Sequence, residues 1–390
     1  MNLTQLRNYL RFHGAPKSKN AVLVTDILFP NRYAMWRIAE TTSFMQEKAA
    51  DFLVFRIDSY AGVSFDVDYE EMVVNKGFAD YNILIFDPKY NFLNRYNSRI
   101  DGTKFNGLIK ASYLISRHEE FNINHYGLVY HMFLMCYESF NRNFLYPKEQ
   151  QGVHLYPGGG NLGSDSVKKI DHRTRVISTH PKTSNALSDL GHRNYIECLG
   201  GSFLTKNDHP FPEKARNDNV LRVAFASLGR NAEKGASEFV QLARRFRQAH
   251  LDARVEFVSI GKEPLGAGIR HYPPMSLQEL LDFYCNDIDV MVSMDTGAAF
   301  NGWPLGMEAA LCGCVLATTD PDNVRAYYDF APDSVFIFDI AKLADLIAFI
   351  HRLDADRALL RKRSVACQSA IQDLLSYNNQ QKKIFSFLNI

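Results

Sequence analysis

No apolar stretch in the 390-residue chain reaches the ~18–20 residues that a membrane-spanning helix requires. The opening residues also lack the apolar core of a secretory leader, so a cytoplasmic location is expected. Charge of one sign is missing as well: 44 Lys and Arg face 43 Asp and Glu, for a net charge of +1. That balance supplies no field to hold nucleic acid, and no nucleic-acid partner is expected. Cysteine is sparse, with six residues scattered along the chain and none in ligand-like spacing with a second Cys or a His cluster. Neither do His154, His172 and His180 show ligand spacing, so no metal site is expected. Cys312-Gly-Cys314 is expected to be a pair of small packing residues where a helix meets a strand. No repeat of 20–50 residues or low-complexity tract is present, which excludes solenoids and propellers. No Gly-x-Gly-x-x-Gly follows a strand, which disfavours a dinucleotide-dependent oxidoreductase.

Aromatic and apolar residues, in contrast, are plentiful: 28 Phe, 19 Tyr and 46% apolar overall. They imply a large core, with some rings available to stack on a sugar or touch a membrane interface. Residues 3–12, Leu-Thr-Gln-Leu-Arg-Asn-Tyr-Leu-Arg-Phe, have the pattern of a short basic amphipathic helix. Such a helix packs on the protein or a partner, or lies peripherally on the inner face of a membrane.

Strand and helix patterns alternate along the chain. Ala21–Thr25, Asp51–Arg56, Tyr81–Phe86 and Arg175–Ser178 read as buried strands, with helices over Tyr33–Ala49 and Thr183–Leu190. Residues 106–146 are aromatic and read as largely helical, and 153–164 read as a loop rich in breakers. A polar segment then marks a linker over 206–219. Alternation restarts beyond it, with strands Arg222–Ser227, Arg254–Ile260, Ile288–Ser293, Cys314–Thr319 and Ser334–Phe338. The intervening helices are Ala236–Ala249, Ser276–Cys285, Leu305–Cys312 and Ala341–Leu353. An α/β chain of two doubly wound, Rossmann-like domains facing a cleft is expected, with domains at 1–205 and 220–370.

The second domain carries the chemistry. In open α/β sheets, ligands bind beyond the carboxyl ends of the strands. Gly229 and Arg230 follow the first strand of this domain, and Lys234 opens the next helix. Two cations at a helix N-terminus suit a diphosphate, Arg by forking two oxygens and Lys as a point charge; the bland alternative is a solvated pair. Further on, Asn301-Gly-Trp-Pro leads into a helix bearing Glu308. Its carboxylate can accept two ribose hydroxyls, or merely complement the helix dipole. Main-chain amides at Leu305 and Gly306 are placed to meet a phosphate.

These residues, in this order, resemble the donor domain of GT-B glycosyltransferases, in particular the large retaining family with a Glu-x7-Glu signature. The resemblance runs from Arg222 to Thr319 through Gly229-Arg230-x3-Lys234-Gly235, Val255–Gly261, Ser276-x2-Glu279-Leu280-x3-Tyr284-x4-Asp289-Val290 and Gly302–Asp320. Residues 175–200 resemble the end of that family's first domain more weakly, and 1–170 share only the general architecture. The resemblance implies that Arg230 and Lys234 hold the donor diphosphate and Glu308 the ribose. It also implies that the backbone around Tyr272–Met275, including Pro274 and Met275, receives the base. The first domain would bind a glycan or lipid-linked glycan acceptor, and residues 371–390 would return to it as a helix. No cofactor beyond the nucleotide-sugar substrate, and no metal, is implied. A homo-oligomer is left open.

One position departs from the signature. Where its first Glu belongs, eight residues before Glu308, stands Phe300. An aromatic wall there implies a less polar sugar, such as the 6-deoxyhexose rhamnose; alternatively Asp295 takes over the role of the acid. For acid–base work in the first domain, Asp26 closes the first strand, while His118 and His180 are further candidates. Arg32 and Arg37 are placed to steer an anionic acceptor or simply to be solvated. The expected activity is thus sugar transfer in surface polysaccharide synthesis. The alternatives are a non-catalytic sugar-nucleotide or glycan-binding module and an epimerase of the same fold.

Overall fold

A computed structural model describes residues 21–25, 51–55, 83–86, 127–131, 134–143, 145–155, 164–199, 205, 219–227, 234–266, 268–275, 277–294, 303–320 and 334–390. The chain divides into two compact units. Among the described residues, the first unit holds those up to 199 together with 377–390, and the second holds 205 and 219–376.

The first unit is built on a seven-stranded sheet. Its strands are β1 (Ala21–Thr25), β2 (Asp51–Phe55), β3 (Ile83–Phe86), β4 (Leu128–His131), β5 (Gln151–Leu155), β6 (Arg175–Ser178) and β7 (Tyr195–Glu197). They lie in the order β3-β2-β1-β4-β5-β6-β7, and every neighbouring pair is parallel. Helices α1 (Leu134–Asn143), α2 (Ser164–Val167) and α3 (Pro181–Asp189) belong to this unit. In this unit β4 and β5 fall where the sequence reads as something other than strand, and β7, like the strand Arg270–Tyr272 of the second unit, is absent from the strands read from the residues. β4 lies inside the aromatic region that reads as helical, and β5 begins before the segment that reads as a loop. Their buried polar side chains mask the strand signal and pair with one another. His131 Nε2 bonds Gln151 Oε1 at 2.9 Å, and Tyr130 Oη bonds His154 Nδ1 at 2.7 Å. Burial holds the His131 imidazole neutral, pushing its pKa down to about 3.

The second unit has a six-stranded parallel sheet. Its strands are β8 (Leu221–Ser227), β9 (Val255–Gly261), β10 (Arg270–Tyr272), β11 (Val290–Ser293), β12 (Val315–Thr319) and β13 (Phe336–Phe338), ordered β10-β9-β8-β11-β12-β13. Helices α4 (Ala236–Ala249) and α7 (Leu343–Ala355) cover one face, and α5 (Leu277–Asn286) and α6 (Trp303–Leu311) cover the other. Alternation along β8 feeds both layers: Leu221, Val223 and Phe225 enter the α4–α7 core, while Ala224 and Ala226 join the α5–α6 side. The recurrence Phe239, Leu242, Ala243, Phe246 buries one stripe of α4. Phe239 stacks on Phe225 at 5.1 Å and meets Phe257 edge-on at 5.9 Å.

Two turns fix the helix ends. Gly313 has φ +81°, and after α6 its amide bonds Ala310 O while that of Cys314 bonds Ala309 O. This left-handed exit delivers the chain directly into β12. Around it, Cys312 and Cys314 are buried, as packing residues at a helix–strand junction should be. The C-terminal region is two helices, α8 (Arg357–Leu374) and α9 (Tyr377–Leu388), separated at Leu375–Ser376. α9 packs on the first unit: Arg175 Nη1 donates to Leu388 O at 3.1 Å, and Cys198 Sγ meets Gln380 Oε1 at 2.8 Å.

Candidate active site

In the second sheet, the connections leave in opposite directions from β8, which leads to β9 and β10, and from β11, which leads to β12 and β13. The crevice between their carboxyl ends is therefore the topological position for a ligand. Ser227 ends β8 and Ser293 ends β11, and both are buried.

Lys234 stands half-buried just before α4. Gly235, the N-cap, has φ +74°. A Cβ at this position would fall 2.4 Å from Met294 O. Glycine thus meets two demands at once, a left-handed backbone and close approach to the end of β11. It brings the start of α4, and Lys234 with it, to the switch point. Among the described residues no side chain caps α4, which leaves first-turn amides available for another acceptor at that edge.

Behind β11, helix α6 begins at Trp303, two residues earlier than expected. Leu305 is in the first turn. Gly306 is a packing position, since a Cβ there would lie 2.6 Å from Leu316 Cδ1. Glu308 sits in the second turn, beyond the positions that best complement a helix dipole. It is 7% exposed, and among the described residues no group offsets the cost of burying its charge. Burial pushes its pKa up to about 8. The nearby Tyr284 hydroxyl is fully buried and has no hydrogen-bond partner among the described residues; burial, then the Glu308 charge, raise its pKa. In the sequence Tyr284 stands only within a motif, and nothing there signals a buried hydroxyl near Glu308 inside an apolar cluster.

Tyr272 ends β10, packs on Phe283 at 4.5 Å and lies under the Arg270 guanidinium at 5.1 Å. Pro274 and Met275 follow it half-buried, with Met275 against the α5–α6 core. The structure thus carries Lys234, Pro274, Met275, Leu305, Gly306 and Glu308 on segments that follow β8, β10 and β11. Gly229, Arg230, Asp295 and Phe300 lie outside the described residues, as do Asp26, Arg32, Arg37, His118 and the 3–12 segment. In the first unit, His180 is the N-cap of α3, its Nδ1 accepting from Lys182 N at 3.1 Å. Among the described residues no group of three or more His, Cys, Asp or Glu is placed to hold a metal ion, and no helix is long and apolar enough to cross a membrane.

Solved structures share this architecture. TarM superposes with a TM-score of 0.66 at 10% identity, over 96% of this chain and 100% of its own. Anabaena HepE, in complex with UDP and glucose, gives 0.63 at 12%, over 95% and 99%. Sucrose-phosphate synthase from Thermosynechococcus elongatus gives 0.62 at 10%, over 95% and 98%. The fold is GT-B. At these identities the likeness is one of fold, and it extends over both GT-B units. No protein-family model matches the chain, and no curated protein matches it by sequence.

Proposed function

We propose that the chain is a glycosyltransferase that moves a sugar from a nucleoside-diphosphate donor to a glycan or glycolipid acceptor in surface polysaccharide synthesis. The observation that carries this is Glu308, an ionisable group buried without a partner among the described residues, on the helix behind β11. Two ribose hydroxyls would supply the donors its carboxylate lacks and draw its pKa back down. Lys234, with Gly229 and Arg230 a few residues earlier in sequence, would take the diphosphate and offset the charge that builds as it leaves. Pro274 and Met275 would flank the base, and the amides of Leu305 and Gly306 would face the phosphate side. Support comes from neighbours of the same fold: HepE holds UDP and glucose, and Staphylococcus aureus TarM holds UDP, α-GlcNAc-glycerol and fondaparinux.

Phe300 in place of an acid favours a 6-deoxyhexose donor, because an apolar wall rewards the missing hydroxyl. In the first unit, Asp26 is the proposed acid–base group. Thermal-shift measurements with the diphosphates of uridine, thymidine, guanosine and adenosine test the function, and stabilisation by at least one is expected. No shift with any of the four would reject it. Donor turnover tests the sugar, and a strong preference for an ordinary hexose over its 6-deoxy counterpart would remove the role given to Phe300.

A further inference from the structure

The carboxyl end of β8 holds one group that the site as described does not use. Ser227 is 4% exposed, and among the described residues its hydroxyl has no hydrogen-bond partner. A buried hydroxyl without a partner is costly, and strand ends offer many residues that would avoid that cost. Its position follows from strand and helix periodicity. Phe225, two residues earlier on the same face, stacks on Phe239 of α4 at 5.1 Å. Two strand residues advance about 6.8 Å, and four helical residues about 6 Å. Helix α4 runs back against β8, so Ser227 lies level with Gly235 and Ala236, under the uncapped first turn. The backbone beside it is equally constrained. A Cβ at Gly261, the last residue of β9, would lie 2.3 Å from Ser227 O.

We propose that Ser227 is a donor-binding residue whose hydroxyl donates to a phosphoryl oxygen of the nucleoside diphosphate, beside the first-turn amides of α4. This rests on the glycosyltransferase function above. It adds a neutral hydrogen-bond donor from the strand floor to the cations proposed above. Ala236 is itself buried, so the phosphoryl oxygen would meet a dry, fixed donor pair.

The test compares the parent protein with Ser227→Ala, using UDP and uridine as probes in calorimetry and ligand-observed NMR. Loss of one hydrogen bond to a charged oxygen predicts about tenfold weaker UDP binding, with uridine binding unchanged. The variant without ligand should melt at or above the parent temperature, since the hydroxyl has no protein partner to lose. UDP affinity equal to the parent's would overturn the role of Ser227 and leave the glycosyltransferase function standing. Equal losses for UDP and uridine together with a lowered melting temperature would overturn it in favour of packing. If the parent binds no nucleoside diphosphate of the four bases, the function and this residue's role fall together.

Discussion

Replacing Glu308 by Gln tests the site through its stability. The folded chain keeps this carboxyl protonated up to about pH 8, whereas in the unfolded chain it ionises near 4.5. Between those values the folded state holds a proton that the unfolded state has released, so stability falls as pH rises through the window and levels off above about 8. The full difference corresponds to about 5 kcal/mol. Gln is close in shape and does not ionise, so the variant escapes this loss. It should melt near the parent temperature at pH 4.5 and several degrees above it at pH 8.5. Melting curves across this range, for both proteins without ligand, provide the measurement. Adding UDP should reverse the order, because an amide cannot accept from two ribose hydroxyls as a carboxylate does. Parallel pH profiles for the two proteins would refute the reasoning, since they would mean that Glu308 ionises as it does in water.

Three further outcomes follow from the second unit. Gly235→Ala forces a side chain toward Met294 O at a left-handed backbone position, and should destabilise by more than ~1 kcal/mol in denaturant titrations while weakening UDP binding through displacement of Lys234. Phe239→Ala empties the centre of an aromatic stack and should cost about 3–5 kcal/mol, measured by the same titrations. Arg230→Ala should lower kcat and kcat/KM together by roughly 100-fold or more if the residue acts on the leaving diphosphate; a change in KM alone would assign it to ground-state binding.

What the sequence discloses depends on how each element is buried. Parallel strands covered on both faces read as unbroken apolar runs, which is why β6 and β8 are legible almost to the residue. The 3.6-residue recurrence in α4 is as plain, because one stripe carries all its large apolar side chains. β5 hides for the opposite reason. Gln151, Gly152 and His154 spoil the pattern, and the partners that make them tolerable, His131 and Tyr130, lie more than a dozen residues away in sequence. The split between α8 and α9 is also obscure, as Leu375 and Ser376 carry no breaker. At the site, Lys234, Gly235 and Glu308 are legible as residue types in an order. The isolation of Glu308 is not, because it depends on what α5 and β12 pack beside it. Ser227 gives no local signal at all, since a serine closing a strand looks like any polar strand end.

The affiliation of α9 bears on how the molecule is made. Its buried side chains Ile384, Phe385 and Leu388 belong to the first unit, and Gly152 leaves room for Leu388 Cδ2, which a Cβ there would approach to 2.6 Å. The described elements of the second unit, in contrast, run without interruption in sequence from β8 to α8. During synthesis from the N-terminus, the described elements of the second unit are complete once α8 has emerged, whereas the first unit still lacks the cover that α9 gives its sheet. A stop codon placed after Ser376 would injure the half of the protein that was translated first.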